Sequence, residues 1–167
     1  MRYEYKLYEP SWCPGCGNYM IRTALKQALE ELNLEPHEVV LVTGIGQGAK
    51  MPHYIKINGF NGLHGRAVPP AIGIKLANKN LKVIVESGDG DTYGEDGVKL
   101  EPLNPVALAL TMGAGFVARG FSGDIPHLVN LMKEAINYKG YALLDILQPC
   151  VVWNRVNTFA WYKKRVY

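Results

Sequence analysis

Apolar and polar positions follow two periods along this chain, and the periods alternate. In residues 18–32, Met20, Ile21, Ala24, Leu25, Ala28, Leu29 and Leu32 recur at three- and four-residue spacing. Arg22, Lys26, Glu30 and Glu31 occupy the other face, which predicts an amphipathic helix. Residues 38–43 are a short β-branched run, 67–77 an apolar helix with Pro69 and Pro70 in its first turn, and 81–86 a second strand. Then follow a small-residue helix over 104–114, a strand over 116–121, a helix over 124–138 capped by Asp124, and a strand over 141–147.

Strands thus alternate with helices. Right-handed crossovers turn that order into an α/β fold, a parallel sheet with helices on both faces. Such sheets bind ligands at the carboxyl ends of their strands. Two glycine-rich turns fall there, Gly44-Ile45-Gly46-Gln47-Gly48-Ala49-Lys50 and Gly88-Asp89-Gly90-Asp91. Residues 92–99 do not fit the pattern, because they carry hardly any apolar side chain and are too few for another strand and helix.

With 167 residues and 48% hydrophobic composition, the expectation is one domain over residues 1–167 with a substantial core. A net charge of +3 with scattered basic residues excludes a nucleic-acid-binding stripe, apart from the short run Lys163, Lys164 and Arg165, which reads as a solvated tail. No run of eighteen apolar residues exists and the first residues lack a signal-peptide core, so the expectation is a cytoplasmic protein without a membrane span. Three cysteines, two of them in Cys13-Pro14-Gly15-Cys16, point to metal, cluster or redox chemistry rather than a secreted disulfide framework.

A strand that stops on Gly88-Asp89-Gly90 can bring bare backbone against a diphosphate while Asp89 holds the Mg²⁺ that neutralises it. Such a turn also occurs without any ligand, but the second glycine loop after another strand strengthens the reading. Between the two lies Gly59-Phe60-Asn61-Gly62-Leu63-His64-Gly65-Arg66, whose His64 and Arg66 suit phosphate oxygens, although a plain surface loop accounts for them equally. Cys13 and Cys16 open the first helix, whose dipole favours thiolate. A redox dithiol, a structural zinc and an iron–sulfur cluster compete for them. Cys150 ends the last strand in Gln148-Pro149-Cys150, on the edge where the glycine turns are expected; a buried apolar cysteine is its plain alternative.

Taken in order, Trp12-Cys13-Pro14-Gly15-Cys16-Gly17-Asn18, Thr43-Gly44-Ile45-Gly46, Pro52-His53-Tyr54, Gly62-Leu63-His64-Gly65-Arg66-Ala67, Gly88-Asp89-Gly90-Asp91 and Leu147-Gln148-Pro149-Cys150 resemble the β subunit of the 2-oxoacid:ferredoxin oxidoreductases. The resemblance implies a thiamine diphosphate-binding fold. It implies thiamine diphosphate with Mg²⁺ held by Asp89, approached by Gly44, Ile45, Gly46, Gln47, Gly88, Gly90 and Asp91, and lined by His64, Gly65 and Arg66. Lys50 matches a basic position near the substrate carboxylate, so Lys50 and His64 are the catalytic candidates. Cys13, Cys16 and Cys150 match three of four ligands to a [4Fe–4S] cluster. The implied partners are an α subunit, which supplies the activating glutamate, together with ferredoxin, a 2-oxoacid such as 2-oxoglutarate or pyruvate, and coenzyme A.

Two departures stand out. Gln47 occupies the position of the fourth cluster cysteine, and an amide is a poor iron ligand beside thiolates, so the cluster survives with an outside ligand, is labile, or is absent. An internal segment near residues 95–97 is missing relative to the family, along with the second Mg²⁺ ligand it carries, and the C-terminal tail is short. A thiamine-dependent decarboxylase or carboligase without a cluster, and a non-catalytic zinc module, remain as alternatives.

Overall fold

The computed structural model describes residues 2–4, 8–88 and 103–166. These divide into two compact units, one made of Met1–Pro10 with Asn33–Leu103 and the other of Ser11–Leu32 with Asn104–Tyr167.

In the first unit, three parallel strands run in the order β2-β1-β3: β1 is Val39–Thr43, β2 Asn58–Asn61 and β3 Lys82–Glu86. The central β1 is buried along its whole length, as a parallel strand flanked on both sides and covered on both faces must be. Its Val40 and Val42, with Val83 of β3, pack against Ala71 and Ile74 of the helix α2 (Val68–Ala77). Pro69 and Pro70 sit in the first turn of α2, where their missing N–H groups cost nothing. The opposite face of α2 is also apolar, and Val68, Ile72 and Leu76 are exposed.

The second unit pairs β4 (Phe116–Phe121) in parallel with β5 (Ala142–Leu147) over six registered positions. The helix between them, α4 (Ile125–Asn137), is the crossover, and its N-cap Asp124 accepts a hydrogen bond from the His127 N–H at 3.1 Å. A shorter helix, α3 (Pro105–Thr111), is capped in the same way by Asn104. The amphipathic α1 (Gly17–Glu31) buries Ile21, Ala24, Leu25, Ala28 and Leu29 and packs on α4. Its last turn is tied to α4 by the Lys133 Nζ–Glu31 Oε2 ion pair at 2.5 Å, which with Gln27 holds the Glu31 carboxyl below its ordinary range. Helix α5 (Phe159–Lys163) follows β5, and Phe121 packs between its Phe159 and Tyr162 rings at 5.8 and 5.6 Å.

The parallel α/β architecture and every helix and strand expected from the periods are present. Three corrections apply. Asn58–Asn61, read as the start of a loop, is an edge strand, because the free edge of β1 supplies the pairing that its own residues do not signal. Gly48–His53 forms a 3-10 segment that begins within the glycine-rich turn expected over 44–50. Arg165 is not merely a solvated tail: its guanidinium lies 4.1 Å over the Trp161 ring and donates to the Trp161 carbonyl. Asp89, Gly90, Asp91 and the anomalous stretch 92–99 lie outside the described residues. Among the described residues no helix is long and apolar enough to cross a membrane.

Candidate functional site

The carboxyl ends of β1, β2 and β3 lie side by side, with Thr43 in register with Asn61 on one side and Glu86 on the other. From this rung three loops emerge: 44–50 after β1, 62–66 after β2, and Ser87-Gly88 after β3. The structure therefore brings Gly44, Ile45, Gly46, Gln47, Lys50, His64, Gly65, Arg66 and Gly88 to one edge of one unit.

Side chains that sequence reasoning passed over hold this edge together. The Asn61 Nδ2 donates to Thr43 Oγ1 at 2.7 Å and to the Ala49 carbonyl at 3.0 Å, and the Thr43 hydroxyl donates to the same carbonyl at 3.1 Å. The Gly62 N–H donates to the Thr43 carbonyl at 2.7 Å. The 44–50 loop is thereby fastened at its root to the strand beside it. Asn61 gave no signal in the sequence; Glu86 did, as an acidic residue ending a β-branched strand at a glycine turn.

The glycines expose backbone where a ligand could approach. Gly46 has φ +105°, a region closed to most side chains, and neither there nor at Gly88 would a Cβ meet any atom of the described residues within 4 Å. Gly65 has φ +68°, in the turn closed by the Arg66 N–H donating to the Leu63 carbonyl at 3.0 Å. His64 and Arg66 are exposed, and Lys50 is half-buried in the 3-10 segment. Such an edge of open backbone flanked by basic side chains fits a diphosphate.

The three cysteines belong to the second unit. Cys13 and Cys16 form a turn closed by the Cys16 N–H donating to the Cys13 carbonyl at 3.0 Å, with Gly15 at φ +79°. Trp12 anchors it, buried edge-on against Tyr19 at 5.2 Å. The turn meets the segment after β5: Gln148 Nε2 donates to Cys16 Sγ at 3.4 Å, and a Cβ on Gly15 would lie 3.8 Å from Val151. The Trp153 N–H donates to Cys150 Sγ at 3.3 Å, and Cys150, Asn154, Arg155 and Phe159 line a cavity of about 210 Å³. None of the three cysteines is in a disulfide. They fall one short of the four that a [4Fe–4S] cluster takes, and among the described residues no three His, Cys, Asp or Glu side chains converge as a metal site. The residues present do not form a complete cluster site.

Residues 42–101 match the family model of the thiamine pyrophosphate enzyme, C-terminal TPP binding domain, which places the glycine edge inside a known class of cofactor-binding fold. The chain is 42% identical to the 2-oxoacid:ferredoxin oxidoreductase subunit beta of Saccharolobus solfataricus, in a match covering 93% of this chain and 67% of that protein. It is 31% identical to the 2-oxoglutarate oxidoreductase subunit KorB of Mycobacterium tuberculosis, covering 87% of this chain and 52% of that one. Among solved structures, the 2-oxoglutarate:ferredoxin oxidoreductase from Magnetococcus marinus, with 2-oxoglutarate, coenzyme A and succinyl-CoA bound, superposes with a TM-score of 0.90 at 26% identity, covering 97% of this chain and 71% of that one. The chain belongs to the family of 2-oxoacid:ferredoxin oxidoreductase β subunits. It spans about two thirds of the length of the family members it matches.

Proposed function

We propose that this chain is the thiamine diphosphate-binding subunit of a cytoplasmic 2-oxoacid:ferredoxin oxidoreductase, which with an α subunit oxidatively decarboxylates a 2-oxoacid to acyl-CoA and CO₂ and passes electrons to ferredoxin. The observation that carries it is the fastened glycine edge, where the family match and the open backbone at Gly46 and Gly88 coincide.

When bound, thiamine diphosphate supplies the electron sink for breaking the bond between the 2-oxo carbon and the carboxylate. This chain's residues bind and orient. Backbone N–H groups of residues 44–48 and of Gly88 would face the diphosphate, Asp89, followed in sequence by Asp91, would hold Mg²⁺, and His64 and Arg66 would offer donors to phosphate oxygens. Lys50 attracts the substrate carboxylate, which suits any 2-oxoacid and so does not select one. The relatives named for 2-oxoglutarate favour that substrate. Cys13, Cys16 and Cys150 are candidate iron–sulfur ligands, but with Gln47 in place of a fourth thiolate the set is incomplete, and binding of thiamine diphosphate does not depend on it.

The natural protein is a single cofactor-binding domain with a further segment near residues 95–97. Support comes from the match to the S. solfataricus subunit, which runs over 204 positions although this chain has 167 residues, so dozens of that relative's residues face a gap. A chain without that segment leaves sheet edges unpaired.

The test is anaerobic co-purification with the partner subunit, followed by thiamine diphosphate titration with and without Mg²⁺. Binding that requires Mg²⁺ and weakens at least about a hundredfold in Asp89→Ala is expected, since removing a carboxylate ligand exposes the diphosphate to an uncompensated site. Unchanged binding in that variant overturns the reading.

A further inference from the structure

The last rung of the first sheet carries three polar side chains in register: Asn61 on β2, Thr43 on β1 and Glu86 on β3. Asn61 and Thr43 hydrogen-bond to one another and to the Ala49 carbonyl. Glu86 stands apart from that network. Its Oε1 lies 3.6 Å from where a Cβ on Gly48 would stand, which places the carboxyl against the 44–50 loop. Although the residue as a whole is half-buried, its Oε2 is completely covered and has no hydrogen-bond partner among the described residues.

A covered oxygen without a partner is tolerable in a neutral acid and very costly in a carboxylate. Burial accordingly pushes the Glu86 carboxyl up to about 8. Of the elements around this rung, β1 and β2 contribute no titratable side chain, and the 3-10 segment carries Lys50 and His53. Burial is the cause of the shift. A negative charge created here would sit under the loop proposed to receive an anion, opposing it both by desolvation and by like-charge repulsion.

We propose that Glu86 is a positioning residue of the diphosphate site: as a neutral acid packed against Gly48 it keeps the 44–50 loop in the seat the cofactor needs, and its ionisation unseats the loop. This rests on the thiamine diphosphate reading above. It adds a proton-dependent support from outside the loop.

The experiment is a titration of thiamine diphosphate, with Mg²⁺ in excess, into the complex of this chain and its partner subunit from about pH 6.5 to about pH 9.5. The native complex is expected to hold a level affinity up to about pH 8 and to lose about tenfold per pH unit above it, because binding then requires uptake of one proton. In Glu86→Gln the affinity stays level across the range and within about threefold of the native value at neutral pH. Should that variant fail to fold, Glu86→Met, neutral and close in volume, takes its place with the same expectation. A native profile that is level throughout overturns the proposal, and so does an alkaline loss of the same size in the variants. A native complex that binds no thiamine diphosphate at any pH defeats the functional reading itself, a result separate from either of these.

Discussion

The glycine edge of the first unit is made of backbone, whereas the cysteine corner of the second is made of side chains. At the edge, Gly46 and Gly88 leave space that a Cβ would occupy, and Asn61 and Thr43 fasten the loop root without entering that space. At the corner, Gly17 does the reverse. A Cβ on Gly17 would stand 2.6 Å from Gln148 Cγ and 2.9 Å from Ser122 Oγ, so this glycine lets two pieces of the fold close on each other. The glycines of the edge keep room for a ligand, and Gly17 removes room between elements. The difference teaches that glycine content alone does not mark a binding site; the question at each glycine is what a side chain there would meet.

The largest effect expected from this contrast is at Gly46. Valine there must take a β-branched side chain to φ +105°, and its methyl groups enter the space left open at the loop. Thiamine diphosphate affinity of the assembled complex should fall at least about a hundredfold in Gly46→Val, while the circular dichroism of the helices is kept, because none of the described residues occupies that space. Retention of affinity within about threefold would falsify the assignment of this loop to the cofactor. Gly17→Val should behave in the opposite sense. The inserted methyl groups have to displace Gln148 and Ser122, an overpacking cost of about 2 kcal/mol, seen as a thermal transition lowered by several degrees. Its cofactor affinity should stay near native. If instead Gly17→Val melts like the native complex, the close packing of the first turn of α1 against the end of β5 is wrong.

How much of this was legible before the structure depends on the distance over which the signal acts. The helix expected over 18–32 and the strand expected over 116–121 appear as Gly17–Glu31 and Phe116–Phe121, because hydrophobic period and capping residues act within a few positions. β2 was illegible. Asn58-Gly59-Phe60-Asn61 has no buried face, and it becomes a strand only because β1 offers an edge. The Gly44, Gly46 and Gly88 part of the site was legible for a related reason, since bare backbone at a strand end is a local requirement. Thr43, Asn61 and Glu86 were not read as one row, because the rung that aligns them is set by pairing between strands 15 or more residues apart in sequence, and register leaves no mark within one strand. The cysteine corner is the mixed case. Its Cys13-Cys16 turn is local, but its approach to Gln148 and Val151 depends on where β5 ends.

Asn61 gives the smallest and most discriminating test, because it belongs to the scaffold of the edge and not to its open surface. Asn61→Ala removes the donors to Thr43 Oγ1 and the Ala49 carbonyl, but the Thr43 hydroxyl still reaches that carbonyl, so neither buried group is orphaned. The loss is therefore one net fastening, about 1 kcal/mol, and not the larger penalty of a buried group left without a partner. If the loop's seat matters to the ligand, that loosening appears as a fall of about five- to tenfold in thiamine diphosphate affinity with little change in melting temperature. Asn61→Asp sharpens the point. It removes the same donors and adds a negative charge to the rung that already carries Glu86, so its affinity should fall further than that of Asn61→Ala, and further still as the pH rises. Equal affinities for the two variants across that range would mean that the rung acts on the loop only through shape, and that charge at this end of the sheet is not felt by the cofactor.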